Sequence, residues 1–190
     1  MRLHLPPSLR SALLASLFSL SVFYSYSHAA TSADFWQAPA FGGPDFTWTG
    51  AGGGDAVDTA GNWEGDAAPS RQENKGPHLI FNDVDVTVTG TPPNTSDGGG
   101  ISVTGNSNVS VSLGQWGGSV YVGAGSTLST TFSNQIKSME AEGHANIYVD
   151  GTLNLTTPGG NLNFDNGTGS GSHYWHIGLD GMINLSNTTT

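Results

Sequence analysis

Along the second half of the chain, apolar residues fall at every other position, stop at a glycine-containing turn, and resume. Ile101-Ser102-Val103, Val120-Tyr121-Val122, Ile147-Tyr148-Val149 and Ile177-Gly178-Leu179 open four such units, and Val109/Val111, Leu128/Thr130, Leu153/Leu155 and Ile183/Leu185 close them. An apolar residue at every second position turns one face of a strand inward, so each unit predicts two strands around a turn. The units begin at 101, 120, 147 and 177, spacings of 19, 27 and 30 residues. Such periods belong to stacked coils, in which each repeat buries its apolar face only against its neighbours. The pattern predicts an all-β fold, a right-handed parallel β-helix (β-solenoid), its handedness taken from the usual sense of parallel crossovers. Val103, Val109, Val111, Val120, Val122, Leu128, Ile147, Val149, Leu153, Leu155, Ile177, Leu179, Ile183 and Leu185 are expected inside it.

The first half is organised differently. Arg2 and Arg10, the apolar run from Ala12 to Phe23, and Ser27-His28-Ala29 form the basic, apolar and small-residue regions of a secretory signal, predicting cleavage after Ala29. The apolar run is too short to cross a bilayer, which takes about 20 residues, and no other segment is apolar enough to do so. Residues 30–45 carry turn formers and three aromatics without a period, and read as a linker or an N-terminal lid. Residues 46–90 read as a Trp/Gly-rich capping segment with the first strands, around Phe46-Thr47-Trp48, His78-Leu79-Ile80-Phe81 and Val84 to Val88. Residues 91–190 read as the coils. Within them, residues 132–144 break the alternation, and the spacing of Ile136, Met139 and Gly143 predicts one or two helical turns. The chain stops after a strand, at Asn187 to Thr190, with no polar cap over the last coil, which predicts a fragment of a longer protein.

Composition narrows the function classes. With 28 glycines and no cysteine, neither disulfides nor thiolate metal sites are available, and stability must come from packing and ladder hydrogen bonds. Removal of residues 1–29 leaves three basic residues against 15 acidic ones, a formal charge of −12. Such a surface repels phosphate backbones and anionic membranes, so nucleic-acid binding is not expected.

Trp48-Thr49-Gly50, a Gly/Asp loop, Asn62-Trp63, Pro69, Leu79-Ile80-Phe81 and Val86-Thr87-Val88 together resemble the opening segment of bacterial extracellular proteins with autotransporter-associated β-strand repeats. Many of these carry a PEP-CTERM sorting tail. The resemblance covers residues 46–90 by motif and 100–187 by repeat texture, and the chain departs from it in showing neither sorting tail nor translocator barrel. It implies a secreted or cell-surface right-handed β-helix.

Candidate chemistry is sparse. Tyr121 and Tyr148 share one outward slot, and with Trp175 they form a candidate platform for sugar rings; a cross-strand aromatic pair that only steadies the sheet, worth about 0.2–1 kcal/mol, is the plainer reading. Asn154 and Asn184 share another slot, where stacked amides bond to each other. Asp150-Gly151 and Asp180-Gly181 read as equivalent turns rather than calcium ligands, since a calcium site needs about six to eight oxygens. Arg71, Lys75 and Lys137 are the only permanent cations after residue 29, too few for a uronate lyase. His173 and His176 lie three apart on a strand and face opposite sides, so no metal site is expected of them.

The expectation is therefore a secreted or outer-surface scaffold or adhesin-like protein, with no catalytic residues, metal or cofactor in this segment. Its partners would be extracellular polysaccharide or cell-envelope components, or further copies of the chain. The alternative is a carbohydrate-binding or carbohydrate-cleaving extracellular β-helix.

Overall fold

The structure, a computed structural model, describes residues 41–95, 98–113, 118–132, 135–137, 146–158, 163–165 and 174–188. The chain divides into two units, Met1–Gln37 and Ala38–Thr190, and all described residues belong to the second. Residues 1–29, where a secretory signal is expected, His173 and the stretch around Met139 lie outside the described residues.

The alternating segments form strands, and the strands form parallel sheets. The first sheet holds, in order, β1 (Asp45–Thr47), β2 (His78–Asn82), β4 (Gly100–Thr104), β6 (Ser119–Val122), β9 (Asn146–Val149) and β12 (Tyr174–Ile177). The second holds β3 (Asp85–Val88), β5 (Asn108–Leu113), β7 (Thr127–Phe132), β10 (Thr152–Pro158) and β13 (Met182–Thr188). β8 (Gln135–Lys137) and β11 (Asn163–Asp165) make a third, two-stranded sheet. From β2 onward, each first-sheet strand is followed in the chain by a second-sheet strand, and the next pair lies beside the last. The all-β class and the parallel stacking are as the alternation predicts.

Register explains the core. Phe46, Leu79, Ile101, Val120, Ile147 and Trp175 occupy one column of the first sheet, and Phe81, Val103, Val122, Val149 and Ile177 the next inward one. In the second sheet Val86, Val109, Leu128, Leu153 and Ile183 align, as do Val88, Val111, Thr130, Leu155 and Leu185. The members contributed by β4, β5, β6, β7, β9 and β10 are all 4 % exposed or less. Each such aliphatic side chain contributes about 1.5–3 kcal/mol relative to leaving it in water, so the columns are the main source of stability. Outward positions add side-chain ladders: Asn184 Nδ2 donates to Asn154 Oδ1 at 2.8 Å, and Asn154 Nδ2 donates to Ser129 Oγ at 3.0 Å. The amide pairing expected for Asn154 and Asn184 is therefore present.

Corners set the turn chemistry. Ser107 and Ser126 are buried just before β5 and β7, and Ser107 N donates to Ser126 Oγ at 3.2 Å. The equivalent residue before β10 is Gly151, where a Cβ would collide with the carbonyl oxygens of Ser126 and Gly123. No side chain fits there, which accounts for the glycine.

The last unit departs from the expected alignment. Trp175 pairs with Ile147, and Ile177 pairs with Val149 rather than with Ile147. The two units come back into step at Thr152 and Met182 because a two-residue corner, Asp150-Gly151, is matched by a four-residue one, Gly178 to Gly181. Asp150 and Asp180 are thus not equivalent; Gly178 takes the place of Asp150, its N–H donating to Val149 O in the preceding strand just as that of Asp150 donates to Val122 O. Leu179, expected inside, lies in the wide corner and is 78 % exposed. Ile177 and Leu185 keep the inward register but are exposed, since β12 and β13 each have a described strand on one side only. Residues 135–137, expected in a helical turn, are strand β8.

At the opposite end, Phe46, Trp48, Trp63 and Phe81 pack edge-on and tilted with ring centroids 5.0–6.4 Å apart. Asn62 explains the Asn-Trp pair. Fully buried, it accepts from Gly52 N at 3.0 Å and donates to Ala56 O at 2.9 Å, folding the Gly/Asp loop back on itself. Trp63 Nε1 donates to Val57 O at 2.8 Å, so its one polar atom is satisfied in the core.

The two-residue slip separates positions that the repeat pattern equates. Val149→Asp buries an unpaired charge and should destabilise by about 4 kcal/mol or more, enough to abolish cooperative melting of a domain this size. Leu179→Asp should shift stability by no more than about 0.5 kcal/mol. Thermal melting followed by circular dichroism checks both; equal effects would refute the register.

Candidate functional site

Because alternate residues of β1, β2 and β4 turn Phe46, Leu79 and Ile101 inward, their neighbours line the outer face of the first sheet. Asp45, His78, Gly100 and Ser119 form one outer column, and Thr47, Ile80, Ser102, Tyr121, Tyr148 and His176 the next. Two clusters of chemically capable side chains arise on this face.

The first joins three strands. His78 Nδ1 lies 2.7 Å from Asp45 Oδ1, and His78 Nε2 lies 2.7 Å from Ser102 Oγ. A carboxylate can only accept, so Nδ1 carries the proton and donates to Asp45. The neutral ring then has an acceptor only at Nε2, toward which the Ser102 hydroxyl donates. His78 and Ser102 are each 7 % exposed, whereas the Asp45 side chain is 67 % exposed. Burial lowers the affinity of His78 for a second proton below the ordinary value of 6.5, and the hydrogen bond and charge of Asp45 offset part of that effect. The Phe41 ring covers the cluster, stacked on the imidazole with centroids 3.6 Å apart and planes 9° from parallel. Gly100 makes its seat: a Cβ there would collide with the Phe41 ring and with Ser119 O.

The second cluster contains the candidate platform. Tyr121 and Tyr148 are register partners, as their shared slot implies. Tyr148 stacks on His176 with centroids 4.5 Å apart and planes 10° from parallel, the spacing of adjacent strands. The Tyr121 hydroxyl reaches along the strand toward Gly123, and burial, with a smaller contribution from the Asp150 charge, raises its proton affinity above the ordinary value of 10.0. Trp175 is not brought to this column. It sits in register with Ile147, half-buried against the core, and its sequence neighbour His176 takes the outward slot.

Asp45, His78 and Ser102 went unremarked as site residues in the sequence reading, and His176 was weighed there only as a metal ligand. Aligning His78-Leu79-Ile80 with Gly100-Ile101-Ser102 would have put His78 and Ser102 on one face. Asp45 depends on the pairing of β1, which is three residues long and has no periodic signal of its own. His176 was hidden by the alignment of Ile177 with Ile147. Among the described residues no group of three histidine, aspartate or glutamate side chains is placed to hold a metal ion, and no helix is long and apolar enough to cross a membrane. No family model, curated protein or solved structure matches the chain.

The histidine's environment generates a signed expectation. Since Asp45 is what holds the His78 proton affinity up, Asp45→Asn should move the His78 titration midpoint further down, read from the pH dependence of its imidazole proton resonances. Because the folded-state value lies below 6.5, the unfolded chain takes up the proton first. His78 thus supports folding fully above pH 6.5, and that support is lost as pH falls toward the folded-state value. A midpoint that rises in Asp45→Asn would contradict the assigned contacts.

Proposed function

We propose that this chain is a secreted or cell-surface scaffold or adhesin-like protein built on a right-handed parallel β-helix, of the kind seen in extracellular proteins with autotransporter-associated β-strand repeats. The observation that carries this reading is the unbroken column register: four inward columns of equivalent residues, two in each sheet, run through successive parallel strands, which is how a solenoid buries its core. Right-handedness follows from the near-universal sense of parallel crossovers. Export follows from the basic, apolar and small-residue order of residues 1–29. A solenoid of this type offers a long rigid face on which outward residues repeat at about 4.8 Å, suited to a repeating polymer rather than to a compact ligand.

A second reading, in which the protein binds carbohydrate, is favoured by one specific observation, the flat Tyr148–His176 stack in register with Tyr121. Aromatic faces aligned along the stack would lie against sugar rings of an extracellular or envelope polysaccharide. The two readings are compatible, since a scaffold can be anchored through its outer face.

One experiment addresses both. Epitope-tagged wild-type chain and a Tyr121→Ala/Tyr148→Ala variant are followed in fractionated producing cells, and the exported material is run through gels containing envelope polysaccharide. Both proteins should appear outside the cytoplasm, and only the wild type should be retarded by the polysaccharide. Wild-type protein confined to the cytoplasm would overturn the scaffold reading, and equal mobility of the two proteins would overturn the platform.

A further inference from the structure

The contact between Asp45, His78 and Ser102 does more than a ring buried between strands requires. Residues 33 and 24 positions apart in the chain meet in the order carboxylate, imidazole, hydroxyl, with both hydrogen bonds at 2.7 Å. The carboxylate fixes the ring tautomer so that the lone pair of Nε2 faces Ser102. The ring is nearly excluded from water, and it is neutral at pH 7, able to take a proton. A serine hydroxyl is a weak nucleophile until a positioned base accepts its proton, and an orienting carboxylate on the far nitrogen completes the arrangement. The strands are core-packed on their other face, so all three groups are held by rigid elements rather than loops. Outward neighbours of Ser102 in its column are Ile80 and Tyr121, and Phe41 lies over the adjoining imidazole.

We propose that Ser102 is a nucleophile and that Asp45, His78 and Ser102 form an acyl-transfer site for carboxylic esters with small acyl groups. Ser102 Oγ attacks the carbonyl carbon as its proton passes to His78 Nε2. The bond to the alcohol oxygen breaks, and the alcohol leaves with that proton. Water then attacks the acyl-Ser102 ester, giving its proton to Nε2, and the acid departs as Ser102 regains its hydrogen. The sum is ester and water to acid and alcohol. Asp45 is a positioning residue acting through His78, and the small exposure of Ser102 limits the acyl group to about the size of acetyl. Phe41 restricts access. The inference is independent of whether the tyrosine column binds sugar.

The full chain is treated with a fluorophosphonate, which transfers its phosphonyl group to an activated serine with loss of fluoride, and the adduct is located by peptide mass analysis. The expected result is one adduct, on Ser102, absent from Ser102→Ala and formed faster in Phe41→Ala. Asp45→Asn should slow its formation by about 100-fold or more while the melting temperature stays close to wild type, since an exposed carboxylate contributes little to folding but general-base assistance is worth about 10²–10⁴. In wild type, p-nitrophenyl acetate should release nitrophenol with a burst equal to the protein concentration. No Ser102 adduct in either wild type or Phe41→Ala would overturn the proposal and leave the cluster as a clamp between strands. An adduct formed at the same rate in Asp45→Asn would overturn the role of the relay.

Discussion

In-register parallel pairing is the constraint on which the rest of the structure depends. A parallel strand that stacks on its predecessor without slipping places every side chain directly over its equivalent, and a slip of one residue would turn the apolar set outward. The inward columns therefore have to be apolar throughout, and the corners have to keep the chain in step. Ser107 and Ser126 do this by bonding from one corner to the next. Where the corner tightens at Gly151, no side chain fits between the carbonyls. Corners change length without breaking the register: Gly123 to Ser126 and Gly178 to Gly181 each set four residues against the two of Asp150-Gly151, and the strands on either side stay paired in step.

The same constraint writes the outer face. Columns that must repeat inward also repeat outward, so residues far apart in the chain become neighbours without any loop designed to bring them together. Asp45, His78 and Ser102 meet because β1, β2 and β4 are consecutive in the first sheet, and Tyr121, Tyr148 and His176 align because β6, β9 and β12 continue it. Ser102 and Tyr121 are themselves register partners, so the relay and the aromatic column adjoin on one surface. An acyl-transfer site at the foot of a sugar platform would combine the two proposals in a single scaffold, though each stands on its own geometry.

Period-two alternation was legible in sequence wherever both members of a strand were apolar, as at Ile101/Val103, Val120/Val122, Ile147/Val149 and Leu153/Leu155, and there the inward assignments and the all-β parallel class agree with the structure. It misled at residues 174–185. The Asp-Gly pair at 180–181 imitates the one at 150–151, and matching turn to turn slid the preceding strand by two residues, which put the exposed Leu179 inside and concealed the place of His176 in the tyrosine column. Ile136 and Met139, three apart, suggested a helix, but β8 gains its backbone partners from β11, which local spacing does not reveal. The outer-face cluster was invisible for a related reason. A lone histidine, serine and aspartate carry no local pattern, and only the pairing of β1 with β2 and of β2 with β4 makes them neighbours.

Since the protein has no cysteine, engineered pairs report register without background. Ser110 and Ser129 are register partners on the outer face of β5 and β7, and adjacent parallel strands lie about 4.8 Å apart, within the span of a disulfide. The most direct measurement is the extent of disulfide formation under mild oxidation in Ser110→Cys/Ser129→Cys, set beside Ser110→Cys/Thr131→Cys, which is displaced by two residues. Rapid, near-complete closure of the first pair with slow closure of the second is the predicted result. Equal closure, or preference for the displaced pair, would contradict the in-register stack and with it both outer-face clusters.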